Sequence, residues 1–238
     1  MDNTVNTISF FNLLFAFIPV FIVLSIIWKW QLNYKNAAYA VVRMLLQLLL
    51  IGYVLVYIFE ADNDWIVIGV LSLMLAAAAW ISLRTMSIPL RKVYLFALAA
   101  ILIGGVSVLL LITQLVIDLD PWYQPSYMIP LAGMIFANTM NCVSLAGERL
   151  ESELNNHVSY DKAKSVAFQA SLIPTINALF AVGLVSLPGM MTGQILSGVS
   201  PFIAARYQIM VMCMVFGASG ISSALFLHLI KTIFQSNN

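Results

Sequence analysis

Apolar stretches of about 20 residues, each long enough to cross a ~30 Å hydrocarbon core as a helix, recur along this 238-residue chain. They run approximately over Ile8–Trp28, Ala37–Phe59, Trp65–Leu83, Val93–Ile117, Tyr127–Ala146, Val166–Leu187 and Tyr207–Ile230. The pattern predicts an all-α fold: a polytopic transmembrane helical bundle of about seven spans, forming one domain over residues 1–238. Charge agrees with it. Charged residues make up 9% of the chain and hydrophobic ones 62%, against roughly 25% and 45–50% in a soluble domain. So few charges cannot cover a soluble surface, which excludes a soluble enzyme. The net charge of +1 offers no basic face to a nucleic acid. The first apolar run exceeds the ~7–15 residues of a signal sequence core and is expected to remain as a span.

The loop charges set an expected orientation. With the N-terminus outside and the C-terminus cytoplasmic, Lys29, Lys35, Arg43, Arg84, Arg91, Lys92, Arg149, Lys162, Lys164 and Lys231 fall inside, ten of the 11 basic residues. Only Arg206 falls outside, together with Asp2, Glu60, Asp62, Asp64, Asp118 and Asp120. This is the positive-inside bias of a multi-pass protein of the cell membrane, with the lipid bilayer as its first partner. One cytoplasmic connection is long and polar. Across about 148–165 it carries Glu148, Arg149, Glu151, Glu153, Asp161 and Lys162. The spacing of the first four suits a helix that extends the fifth span into water. The segment reads either as a solvated connector or as a docking surface for a cytoplasmic partner.

Reactive motifs are missing. The chain has no GxxxxGK[ST], HExxH or GxSxG, so no nucleotide, zinc or serine-nucleophile site is expected and no cofactor is assigned to it. Cys142 and Cys213 stand in apolar runs and read as small buried hydrophobes. His157 and His228 are isolated and read as surface or interface residues rather than ligands. No Asp or Glu lies in the middle third of a span, which counts against a self-sufficient ion-coupled carrier, since such carriers commonly use intramembrane carboxylates. A stand-alone channel or carrier stays open as the alternative, because broken-helix carbonyls also bind ions.

Several neutral or snorkelling polar residues do lie within the spans. Arg43 and Gln47, four apart, share a helix face, as an anchor or as a polar seam. Asn138 and Asn141 on span five must face another helix, a second copy or a wet cavity, because lipid would be costly. Span six holds Pro174, Thr175 and Asn177. Beyond it, Leu187-Pro188-Gly189-Met190-Met191-Thr192-Gly193-Gln194 predicts broken, non-helical backbone, either a re-entrant outer mouth or a plain loop. The 12 methionines read as packing residues rather than soft-metal ligands, and no metal site is assigned.

Several of these segments are similar to one family. Arg43-Met-Leu-Leu-Gln47-Leu with Gly52-Tyr53, Ile129-Pro130-Leu131-Ala132-Gly133-Met134-Ile135 with Asn138, and above all Val182-Gly-Leu-Val-Ser-Leu-Pro-Gly-Met-Met-Thr-Gly193 resemble the FetB-like iron-export ABC transporter permeases, which include plant aluminium-tolerance relatives. Ala205-Arg-Tyr-Gln-Ile-Met210 extends the likeness, which runs from about residue 8 to 231. The connection Arg149–Ile173 is shorter than in that family, and only Ser159-Tyr160-Asp161-Lys162-Ala163 resembles the end of its coupling element. The resemblance implies a permease subunit without ATPase activity of its own. Two copies would form the pore, and a separate cytoplasmic ABC ATPase would bring ATP and Mg. Iron or another metal would be exported, with an organic substrate as the alternative. It further implies that Arg43, Gln47, Asn138, Asn141 and Asn177 line or brace the substrate path. Gly189, Met190 and Met191 would then shape the outer end of that path.

Overall fold

The computed structural model describes residues 8–60 and 63–235. Asp2 and Asp62, counted above with the outer charges, lie outside the described residues, as does the side chain of Glu60. Among the described residues there is no β-strand, only an isolated bridge between Val182 and Ser186. The fold is all-α, and six helical stretches are long and apolar enough to cross a membrane. The chain is a multi-pass membrane protein. Its contacts divide into two compact units, residues 1–61 and 62–238.

Unit 1 is a helical hairpin preceded by one short helix. Helices α1 (Phe10–Phe15) and α2 (Ile18–Lys29) take the place of the single first span. Pro19 has no N–H to give to the carbonyl four residues back, so the helix breaks at Ala16–Phe17. A turn through Gln31, at φ 57°, leads to α3 (Tyr34–Glu60).

Unit 2 begins with α4 (Asp64–Ser82), started by the Asn63 side chain, which accepts from the Trp65 N–H at 2.9 Å. The fourth span is continuous but not uniform. It runs through α5 (Leu90–Ile101), a π-helical turn (Leu102–Val106), α6 (Ser107–Leu110) and a second π-helical turn (Leu111–Val116). Then α7 (Pro125–Asn155) runs for 31 residues, through Pro130. At 1.5 Å per residue it is about 46 Å long, so some ten residues stand beyond the hydrocarbon. This matches the expected extension of the fifth span into water.

A tight turn, with His157 at φ 60°, returns the chain into α8 (Tyr160–Ala181). This helix occupies the expected sixth span but starts and stops earlier. It is 22 residues long, yet the charged residues in its first turns leave it outside the six most apolar stretches. It ends because Val182 is extended and Gly183 takes φ 82°, a conformation that an L side chain rarely adopts. The Gly-Pro segment that follows is only partly non-helical. Gly189–Leu196 form α9, against expectation, because Pro188 precedes a run free of further proline. A second break, with Gly198 at φ 89°, leads into α10 (Pro201–Leu229) and the short α11 (Lys231–Gln235).

Helices α7 and α10 form the centre of unit 2. α7 packs on α4, α8 and α10, and α10 packs on the fourth span, α7 and α8. Small residues among the larger apolar ones bring the helices close: Ala79, Ala97, Ala100, Ala132, Ala146 and Ala218 are fully buried. Lipid tails are as apolar as a side chain, so membrane helices associate by close backbone approach rather than by hydrophobic burial.

Candidate functional site

The polar groups of unit 2 gather in two places. The first is the end that carries Leu83–Pro89 and Asn156–Ser159, called here the basic end. The loop after α4 climbs along α7 there. Thr85 Oγ1 and Ser144 Oγ are 2.9 Å apart, and the Glu151 carboxylate accepts from the N–H groups of Ser87 (2.9 Å) and Ile88 (3.1 Å). Two charge-assisted bonds to backbone thus fix the loop to the helix. Arg149 pairs with Glu153 one turn on. At the start of α8, Tyr160 donates its hydroxyl to the Leu227 carbonyl. Lys231 Nζ lies 5.6 Å from the Tyr160 ring centre and 3.6 Å from Asp161 Oδ1. The Tyr160 phenol is pushed up to about 12, first by burial and then by the Asp161 carboxylate.

Of the proposed docking residues, Glu151, Glu153 and Asp161 are therefore engaged with their own chain. Glu148 and Lys162 stand exposed. Sequence reasoning could not find the Glu151 clamp, because its partners lie 63 and 64 residues away.

The second place is a half-open cavity of about 250 Å³ at span depth. Helix α7 contributes Met134, Asn138, Asn141, Cys142 and Leu145; α8 contributes Pro174, Thr175 and Ala178; α10 contributes Val211, Met212 and Val215. Their spacing by three and four puts each set on one helix face. Asn138 Nδ2 donates to the Met134 carbonyl at 2.8 Å, so its amide oxygen remains for the cavity. Cys142 Sγ and Thr175 Oγ1 are 3.6 Å apart across the α7–α8 contact. The lining contains no Asp, Glu, Lys, Arg or His, and among the described residues no three His, Cys, Asp or Glu side chains come together. The cavity can hold a small solute through amide oxygens, a hydroxyl and sulfur, but it supplies no fixed charge.

The predicted path residues fall differently. Asn138 and Asn141 line this cavity. Asn177, two residues from Thr175, is exposed on another face of α8, as is Gln169 two turns before it. Arg43 and Gln47 lie in unit 1, half-buried and exposed on α3. Gly189, Met190 and Met191 form the first turn of α9, with Met190 packed against the core. Cys213 is exposed rather than buried, because it points away from the packed face of α10. Thr175 and Cys142 were the residues missed. Their only signal was their position on the faces that carry Asn138 and Ala178.

A sequence model described as "Uncharacterised protein family (UPF0014)" matches residues 10–164 and 157–234. The two pieces overlap at residues 157–164, the turn into α8 and its first residues. A UPF0014 membrane protein of Synechocystis is 42% identical over 193 residues, 73% of this chain and 73% of that protein. The "Probable iron export permease protein FetB" of Escherichia coli is 32% identical over 219 residues, 85% of this chain and 83% of its own. "Protein ALUMINUM SENSITIVE 3" of Arabidopsis thaliana is 31% identical over 223 residues, 86% and 80% of the two chains. No solved structure matches.

Proposed function

Because the chain belongs to the UPF0014 family of membrane proteins, we propose that it is the membrane-spanning permease subunit of an ATP-driven exporter of iron or another metal. The observation that carries this reading is the α7–α8–α10 cavity, a neutral polar chamber at span depth. The exposed amides Asn141 and Asn177 support a second copy facing the first. Left against lipid they would be costly, whereas two copies around a shared path would keep them wet. The energy comes from a separate cytoplasmic ABC ATPase, since this chain has no phosphate-binding loop. The N-terminus is outside and the basic end faces the cytoplasm, where Glu148 and Lys162 are offered to the ATPase. The relative named as an iron export permease suggests the substrate. With no carboxylate in the chamber, the metal crosses as a complex or through neutral oxygen and sulfur donors.

The test is to co-express the chain with a cytoplasmic ABC ATPase subunit from the same organism, purify the pair and reconstitute it in liposomes. ATPase stimulation and ATP-dependent flux of iron, free or chelated, are expected. Failure to associate together with unstimulated hydrolysis overturns the proposal.

A further inference from the structure

Four buried hydroxyls outside the last long helix are satisfied locally. Ser82, Thr113, Thr139 and Ser171 are fully buried, and each donates to a carbonyl three or four residues back in its own helix, at 2.8–2.9 Å. This is the ordinary arrangement for a serine or threonine in a membrane helix. Helix α10 departs from it. Ser219, Ser222 and Ser223 are 0% exposed, Gln208 is 5% exposed, and the hydroxyls and the Gln208 Oε1 have no hydrogen-bond partner. These oxygens are not scattered. Positions 208, 212, 215, 219 and 222 advance by four, three, four and three, so they form one face of α10. Between Gln208 and Ser219 that face is made by Val211, Met212 and Val215, which line the cavity. The unpartnered oxygens therefore lie on the same face of α10 as the residues that line the cavity, on either side of them along the helix.

What closes the serine half is the fourth span. Its first π-helical turn places Gly104 so close to α10 that a Cβ there would meet Ser222 Oγ and lie 2.7 Å from the Ser222 backbone nitrogen. The hydroxyl thus points at the glycine. π-Helical turns recur at functional sites because they hold a local distortion that a regular helix would remove. Neither wall carries an Asp, Glu, Lys, Arg or His between residues 96 and 116 or between 208 and 227. A buried oxygen without a partner costs free energy, and a state in which water reaches it is relieved of that cost.

We propose that the serine face of α10 against the Gly104–Gly105 turn is the closed inner half of the transport path. It opens to water when α10 and the fourth span part, and it passes a small solute by hydroxyl and carbonyl contacts rather than by charge. The inference rests on the permease reading, but its test does not need flux.

Ser222→Cys and, separately, Ser219→Cys are made in a chain whose Cys142 and Cys213 are replaced by Ala. Ile221→Cys, at the same depth on an exposed face, is the control. Membranes are treated with a charged methanethiosulfonate reagent, which reacts with thiolate and hence only where water enters. Labelling of the serine-face cysteines at least tenfold faster than at Ile221→Cys is expected, with the rate changing when ATPase and ATP are present. Rates at both positions no faster than at Ile221→Cys overturn the gate, whatever the flux assay finds. Fast labelling, with no flux from the chain that keeps Cys142, leaves the gate standing and counts against the permease reading instead. The Ser219→Cys arm keeps the test decisive if the tighter Ser222 site does not accept sulfur.

Discussion

Replacing Gly104 with Ala is the most direct probe of how closely the fourth span and α10 approach. An added Cβ would lie 2.7 Å from the Ser222 nitrogen and 3.0 Å from its Cα. Comfortable carbon contacts begin near 3.5 Å, so the two helices must part by roughly 0.8 Å. The Ser222 hydroxyl can turn aside, but the other two obstructing atoms are backbone and cannot. Overpacking of this kind costs about 1–3 kcal/mol. Against it, Ala in place of a helical Gly returns about 0.5–1 kcal/mol. The net expectation is a loss of about 1–2 kcal/mol. Gly217, on α10, has nothing within 4 Å of its hypothetical Cβ, so Gly217→Ala keeps the propensity gain without the clash and should stabilise. Both variants are compared with wild type by thermal unfolding in the same micelle. At about 2–4 °C per kcal/mol for a chain of this size, the two should separate by several degrees in opposite directions. Adding Ser222→Ala to Gly104→Ala removes the hydroxyl but not the nitrogen, so it should restore only part of the loss. A Gly104→Ala protein as stable as Gly217→Ala would refute the close approach and, with it, the closed seam.

Further outcomes follow from the basic end and the chamber. Glu151→Ala removes the acceptor for two backbone N–H groups. It should cost about 1–2 kcal/mol, because water can reach the freed amides. The 84–89 loop should then be cut faster by trypsin at Arg84, and Glu151→Gln should recover part of the protection. Tyr160→Phe keeps the ring beneath Lys231 but loses the bond to the Leu227 carbonyl, at about 1 kcal/mol by thermal unfolding. The Tyr160 pKa is raised to about 12, so the folded chain holds a proton that the unfolded chain releases near pH 10. The stability present below about pH 10 is lost as pH climbs towards 12, and Tyr160→Phe should lack that decline. Asn138→Leu breaks only a bond to its own helix, so transport in vesicles should fall at least tenfold while the melting temperature moves little. Equal loss of both would make Asn138 a packing residue.

The helices and the crowding of charge at one end of unit 2 were legible in the sequence, because both follow from solvation. A span must be apolar, and a charged loop must reach water. The failures lie where partner identity decides. Pro19 breaks the first span, yet Pro130 and Pro174 sit inside α7 and α8. A proline alone does not say whether its neighbours will carry the freed carbonyl. Thr175 and Asn177 are both polar and two residues apart. A helix turns about 200° between them, so one lines the chamber and the other faces away, and no periodicity says which. Ser219, Ser222 and Ser223 are small enough to sit between packed helices, which explains their burial. It does not explain why their hydroxyls lack the local bonds that Ser82, Thr113, Thr139 and Ser171 all make. That difference depends on side-chain torsions and on where the fourth span places its glycines. It becomes visible only once the helices are assembled, and it sets α10 apart as the helix on which the chamber and the seam meet.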